Sequence, residues 1–232
     1  MDRFRAVLFD AYGTLLDVGS VAGRAETYFP GMGIALSRLW RDKQLHYSWI
    51  RTLSGRYADF WQVTADALDY AAEALALPIS AAQRDGLLGE YLRLSPFADA
   101  APALEQLARF APLAVLSNGT PAMLEAAFGQ AGLRDRFAVL LSVDAARAYK
   151  TAPAAYALAT SHFNARPAEL LLVSSNGWDV AGAAAFGLST FWVNRNGAPV
   201  ERLGVAPTGV GGSLLALPAW LSGQRLRPRD AG

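Results

Sequence analysis

A chain of 232 residues, 53% hydrophobic and without a single cysteine, can bury a substantial core, and it excludes disorder, a disulfide framework, thiolate metal sites and thiol catalysis. Its 21 Lys and Arg stand against 20 Asp and Glu, a net charge of +1 with no run of like charge, so neither a nucleic acid nor a membrane surface is an expected partner. Freedom from cysteine fits a reducing, cytoplasmic location.

The opening MDRFRAVLFDAYG meets an acid and a glycine before any apolar stretch reaches signal-peptide length, and it reads as a first strand over Ala6 to Phe9. The stretch from Asp10 to Pro112 that follows is far longer than the roughly 30 residues of a whole βαβ unit, so something is inserted. Helical spacing in Leu36, Leu39 and Trp40, in Tyr57, Phe60, Trp61 and Thr64, and in Leu68 and Tyr70 makes that insert all-helical. Further short apolar runs follow at Leu113 to Leu116, Val139 to Ser142, Leu170 to Val173 and Thr190 to Val193, alternating with helical patterns at Pro121 to Gly129, Pro153 to His162 and Val180 to Phe186. Runs this continuous belong to strands buried on both faces, so the fold class is α/β, with a doubly wound, Rossmann-type parallel sheet. Thr120 before Pro121 marks a helix start and Gly187 a helix end. The uncharged stretch Leu203 to Gln224 is long enough to cross a bilayer, but Pro207, Pro218 and four glycines interrupt it. The final QRLRPRDAG reads as a frayed tail. These boundaries give a core of residues 1–17 and 96–232 and a helical cap of 18–95, placed over the carboxyl ends of the strands, where an open α/β sheet has its ligand crevice.

Three strand ends carry polar side chains into that crevice. Asp10 directly follows the first strand and precedes Ala11-Tyr12-Gly13-Thr14, a turn in which glycine lets backbone amides approach an anion. The second strand ends in Ser117-Asn118-Gly119-Thr120, a hydroxyl, an amide and a helix start together. The fourth ends in Ser174-Ser175-Asn176-Gly177-Trp178-Asp179, adding a second carboxylate, and Lys150 follows the third strand at a distance that lets its cation reach the same place. Convergence of this kind marks a candidate active site.

The segments DAYGTLLDV, LWRDKQLHYSW, GRYADFW, LSNGTPAML, SVDAARAYKTAPAAYALA and VSSNGWDVAGAAAFG, in this order, resemble the L-2-haloacid dehalogenases of the haloacid dehalogenase superfamily, from about Arg5 to Asn194. The aspartate and threonine, the strand-end serine, the lysine and the last acidic loop are common to the superfamily and on their own leave phosphatases open. Narrower features favour carbon–halogen cleavage. Superfamily phosphatases carry a second acid two residues after the nucleophile to protonate an alkoxide, whereas this chain has Tyr12, and halide leaves without a proton. Their last loop has an acid that helps hold magnesium, whereas this chain has Ser175, and Asp10 with Asp179 alone make a poor cage for a hard cation.

The resemblance implies metal-independent hydrolysis of short (S)-2-haloalkanoates with inversion at C2 and no cofactor. It casts Asp10 as nucleophile, Arg41 and Asn118 as the halide site, and Asp179 as the group that helps water attack the Asp10 ester. Lys150, Ser174 and Asn176 order the carboxylates, and Thr14 and Tyr156 support the site. Ser117 and the amides near Ala11, Tyr12 and Asn118 hold the substrate carboxylate, while Tyr12, Leu45, Phe60 and Trp178 form an apolar pocket. The partners it implies are the haloacid, the halide ion and a second copy in a homodimer. The chain departs from the family's usual glutamine and glutamate at Asp42 and His46, and an acid beside the halide site is expected to oppose a leaving anion, which leaves the substrate range open. Two other readings remain at this point: a superfamily phosphatase of a small metabolite, and a non-catalytic carboxylate-binding member.

Overall fold

In the computed structural model, which describes residues 4–225 and only the backbone of Gln224 and Arg225, β1 (Ala6–Phe9) lies inside a six-stranded parallel sheet. Four helices follow it before the chain returns to the sheet: α1 (Gly19–Tyr28), α2 (Gly33–Leu53), α3 (Phe60–Ala74) and α4 (Ala81–Glu90). The order then runs α5 (Ala100–Leu107), β2 (Leu113–Ser117), α6 (Pro121–Gln130), β3 (Val139–Ser142), α7 (Pro153–Phe163), β4 (Leu170–Ser174), α8 (Gly177–Phe186), β5 (Ser189–Val193), β6 (Gly209–Gly211) and α9 (Ala216–Arg225).

The strand order β3-β2-β1-β4-β5-β6 is that of a doubly wound sheet, as the near-continuous apolar runs indicate. From β1 the chain builds outward through β2 and β3, then returns to the other side of β1 with β4, so the direction of winding reverses between β1 and β4. Crevices open at such reversals. Phe9 is in register with Val115 and Val173, which brings Asp10, Ser117 and Ser174 to one end of three adjacent strands. β2 and β4 each run one residue further than their apolar character suggests, because Ser117 and Ser174 keep the ladder, opposite Ser142 and Trp192. The marked helix signals are in place: Thr120 accepts from the Met123 N–H at 3.2 Å with Pro121 at the first helical position, and Gly187 closes α8 in the left-handed conformation.

The insert leaves and rejoins the sheet through paired strands of backbone, with the Asp17 N–H donating to Ser95 O at 2.8 Å and the Phe97 N–H to Leu15 O at 2.9 Å. Within it α2 crosses α1 at Gly33, where an added Cβ would come within 2.5 Å of the Glu26 nitrogen, so only glycine permits that crossing. Asp59 caps α3, and Ser80 with Gln83 caps α4 reciprocally. Tyr57, grouped with the α3 face by spacing, lies outside the helix, ahead of its Asp59 cap, and stacks on Tyr149 with ring centroids 5.2 Å apart. Residues 203–224 contain β6 and most of α9, and among the described residues no helix is long and apolar enough to cross a membrane. β6 was not expected, since three residues of Gly-Val-Gly carry no strand signal of their own. Of the expected tail, Gln224 and Arg225 belong to α9, and the remainder lies outside the described residues.

Candidate active site

Asp10 is fixed by the sheet before its side chain makes any contact, because its N–H donates to Val173 O at 3.0 Å, one step past the β1–β4 ladder. Its carboxylate then meets three donors. Oδ2 accepts from the Thr14 hydroxyl at 2.9 Å and from Asn176 Nδ2 at 2.8 Å, and Oδ1 accepts from Lys150 Nζ at 3.1 Å. The Thr14 hydroxyl itself accepts from the Ser175 N–H at 2.9 Å, so its single hydrogen is left for Asp10. Lys150, wholly buried, also donates to Asp179 Oδ2 at 2.9 Å, and the Tyr156 hydroxyl donates to Asp179 Oδ1 at 2.9 Å.

The other two strand-end loops brace this cluster. Ser117 Oγ accepts from the Gly119 N–H at 3.2 Å and Ser174 Oγ from the Asn176 N–H at 3.1 Å. Asn118 Oδ1 accepts from the Lys150 N–H at 3.1 Å, so the carbonyl end of that amide is occupied and its NH2 is the end left to donate to an anion.

Two buried carboxylates and one ammonium leave the cluster with an excess negative charge. Burial alone would pull the Lys150 ammonium below the ordinary lysine range, but Asp10 and Asp179 more than offset it and hold Lys150 charged, above that range. Asp179 is pushed up, by burial first and then by Asp10, with Lys150 opposing. Burial, and after it Asp179, raises the Tyr156 phenol well above its usual value. A carboxylate made more basic in this way is suited to taking a proton from water.

The insert contributes an aromatic ceiling and one cation. Tyr12 packs against Phe60 with centroids 6.1 Å apart and against Tyr91 at 5.9 Å, and Tyr91 meets Trp40 edge-on at 5.1 Å. The Tyr12 hydroxyl is buried without a hydrogen-bond partner. Burial raises its pKa, Tyr91 adds to the rise, and the Arg41 guanidinium pulls the other way. Arg41 is half-buried on α2, donating to Gln44, with half-buried Leu45 one turn further on.

Not every expected residue joins this arrangement. Trp178 opens α8 and meets Trp49 edge-on at 5.6 Å; both line an apolar cleft of about 710 Å³ with Tyr149 and Leu53, and that lining includes neither Asp10, Arg41, Leu45 nor Phe60. Asp42 and His46 are exposed on α2. This corrects the expectation of an acid beside the halide site, because positions 42 and 46 are one turn apart on the solvent side of a helix whose buried row is Leu36, Trp40, Gln44 and Ser48. The Ser175 hydroxyl is buried without a partner, and among the described residues no group of three or more His, Asp or Glu could hold a metal ion.

Two features of the site escaped the sequence reading. One is the buried row of α2 under Arg41, whose spacing of four from Trp40 to Gln44 was the available signal. The other is Arg195, which donates to both oxygens of Asp99 and to Thr14 O at 3.1 Å, tying the turn after Asp10 to α5; nothing local connects residues so distant in sequence.

A family model described as haloacid dehalogenase-like hydrolase matches residues 4–187. The (S)-2-haloacid dehalogenase of Pseudomonas sp. (strain YL) is 45% identical over 208 residues, which cover 89% of this chain and 90% of that protein. The solved L-2-haloacid dehalogenase RSc1362 superposes with a TM-score of 0.93 at 52% identity, covering 94% of this chain and 99% of that one. The L-2-haloacid dehalogenase of Xanthobacter autotrophicus with chloropropionic acid covalently bound gives a TM-score of 0.89 at 42% identity, over 95% and 99% of the two chains. With the strand-end aspartate, lysine and second carboxylate already assembled by the sheet, this chain belongs to the haloacid dehalogenase-like hydrolases and, within them, to the (S)-2-haloacid dehalogenases.

Proposed function

We propose that the chain hydrolyses short (S)-2-haloalkanoates to (R)-2-hydroxyalkanoates and halide through an ester on Asp10. The observation that carries this reading is the Asp10 carboxylate itself, held by Thr14, Asn176 and Lys150 at the strand-end crevice with Asp179 behind the same ammonium. Chloropropionic acid covalently bound in the Xanthobacter relative supports a covalent intermediate.

In the first step an Asp10 oxygen attacks C2 from the side opposite the halogen. The C2–O bond forms, the carbon–halogen bond breaks with its electron pair going to the halide, and C2 inverts. Arg41 and the Asn118 amide receive the halide, while Ser117 and the backbone N–H groups of Ala11, Tyr12 and Asn118 hold the substrate carboxylate. Tyr12, Leu45 and Phe60 enclose the alkyl and halogen side, without Trp178, which lines the separate cleft. Alkylation turns Asp10 from anion to neutral ester, which removes one of two like charges buried beside Lys150 and so favours the step. In the second step water attacks the Asp10 carbonyl carbon and gives a proton to Asp179. The bond from that carbon to the former Asp10 oxygen now on C2 breaks, one water proton ends on the product hydroxyl, and the other is released with the halide. Asp10 keeps the oxygen that came from water.

The reading is metal-independent. Lys150 already supplies the cation between Asp10 and Asp179, and Tyr12 and Ser175 stand where a phosphatase needs acids. Displacement at carbon needs donors for a carboxylate and a cation for halide, whereas phosphoryl transfer needs a metal to bridge its oxygens. Substrate is taken between a core of residues 1–17 and 96–232 and a cap of 18–95. The protein works in the cytoplasm, in keeping with its cysteine-free sequence. It works there as a homodimer, for which the exposed Ile34, Ile50 and Leu53 of α2 offer apolar surface.

Halide release from each enantiomer of 2-chloropropionate, with and without a strong chelator, tests the function. Chloride from the (S)-enantiomer alone, with (R)-lactate as product and no loss to chelation, is expected. Magnesium-dependent cleavage of a phosphate ester with no halide from either enantiomer would overturn the reading.

A further inference from the structure

Beneath Arg41 runs a chain of hydrogen bonds that the two steps above leave unused. Gln44 is fully buried on α2, and its Oε1 accepts from Arg41 Nη1 at 2.5 Å. Its Nε2 donates to Thr64 Oγ1 at 2.7 Å, and that hydroxyl donates to Phe60 O at 2.6 Å. A hydroxyl has one hydrogen, and a backbone carbonyl can only accept. The Thr64 hydrogen is therefore committed to Phe60, so Thr64 must accept from Gln44, and Gln44 must turn its carbonyl toward Arg41. Trp40 Nε1, donating to Thr64 O at 2.7 Å, fixes the same turn of α3, and the Tyr91 phenol interacts with the Gln44 amide.

We infer that Gln44 is a positioning residue for halide expulsion: its amide, oriented by Thr64, aims the Arg41 guanidinium while leaving its positive charge uncancelled. The inference rests on the proposed role of Arg41 in receiving halide. Among the described residues Arg41 forms no ion pair, so its half-buried charge is held by a neutral acceptor. A carboxylate in place of the amide would hold the fork as firmly but offset the field that a departing anion meets. An apolar side chain would leave a guanidinium donor unpaired and the fork free to turn. An amide with a fixed direction avoids both.

Assistance to a leaving anion matters more for chloride than for bromide, the better leaving group, and this separates aiming of Arg41 from a packing role. The rate of Asp10 ester formation is measured in single turnover on (S)-2-chloropropionate and (S)-2-bromopropionate. Gln44→Glu is expected to lower the chloro rate about 100-fold and the bromo rate less, raising the bromo-to-chloro ratio, with weaker inhibition by added chloride. Thr64→Val, which removes the orienting hydroxyl, should move the ratio the same way with a loss of about 10-fold, while Thr64→Ser restores it. If Gln44→Glu does not fold, the two Thr64 variants read the same quantity. Arg41→Lys serves as the reference. A raised ratio in Arg41→Lys with no change in Gln44→Glu or Thr64→Val would overturn the inference alone. An unchanged ratio in Arg41→Lys would overturn it together with the role of Arg41.

Discussion

Around Asp10 charge is packed against charge, with two carboxylates sharing one fully buried ammonium and the Tyr156 hydroxyl closing the far side. On α2 the half-buried Arg41 guanidinium leans on the buried amide of Gln44. On the proposed mechanism the first arrangement stores an excess negative charge that is relieved when Asp10 becomes an ester, and the second holds a positive charge ready for the departing anion. The proposed displacement at carbon asks for that division, with attack prepared on the sheet and departure received on the insert. Strand ends hold buried ion pairs well because the ladder fixes the backbone first, and a helix face can offer a cation without a counter-ion only where neighbouring side chains leave it partly exposed to solvent.

The largest effect should come from the attacking side. Asp10→Asn keeps the size of the side chain and the Thr14 contact but removes the nucleophilic charge, so turnover should fall by about 10⁴-fold or more, with thermal unfolding near that of the parent; retention of a tenth of the activity would contradict the reading.

Lys150→Met comes next, because it leaves two buried carboxylates without their cation. Stability should drop by about 3–5 kcal/mol, read by urea unfolding at neutral pH, together with activity. The pH dependence has a defined sign. Lys150 has a raised pKa in the folded chain, so its stabilising contribution is complete below the ordinary lysine range and is lost as pH rises through the higher folded value. The gap in stability between parent and Lys150→Met should therefore narrow in strong alkali; a gap that widens there would mean the lysine is buried neutral.

Gly119 joins the two regions. An added Cβ would lie 2.9 Å from Tyr12 Cε2 and 3.1 Å from Leu124 Cδ2, so Gly119→Ala must displace the Tyr12 ring, which packs against Phe60 and Tyr91. A loss of about 1–3 kcal/mol in stability is expected, read as a lower urea midpoint with an unchanged slope. The smallest effect belongs to Asp42→Gln: the side chain is exposed, and turnover on chloro and bromo substrates should stay within about 2-fold. A large change would return Asp42 to the halide site.

The attacking half was far more legible in the sequence than the receiving half. Asp10, Ser117 and Ser174 follow apolar runs directly, and a parallel sheet has one way to bring those ends together, so strand periodicity and chain order suffice. Lys150 could be proposed because it follows the third strand by a few residues, close enough for its cation to reach the crevice. On α2, by contrast, Arg41, Asp42 and Gln44 are all polar and crowd about one turn. Which of them turns inward depends on how α2 packs against α3 and on the glycine crossing at Gly33, and the local trace of that packing is a four-residue spacing of mixed apolar and polar residues. Reading the row Leu36, Trp40, Gln44, Ser48 would have placed Gln44 inside and Asp42 outside. The Arg195–Asp99 tie and β6 depend on contacts between segments far apart in the chain and have no local pattern to read.

Labelled water tests the central claim most directly. With enzyme in excess over (S)-2-chloropropionate in ¹⁸O-water, a single turnover should place the heavy oxygen on Asp10, detectable in the peptide that contains it, and leave the lactate unlabelled. Heavy oxygen appearing in the lactate of that first turnover, with Asp10 unlabelled, would mean that water attacks C2 and that Asp10 is not the nucleophile.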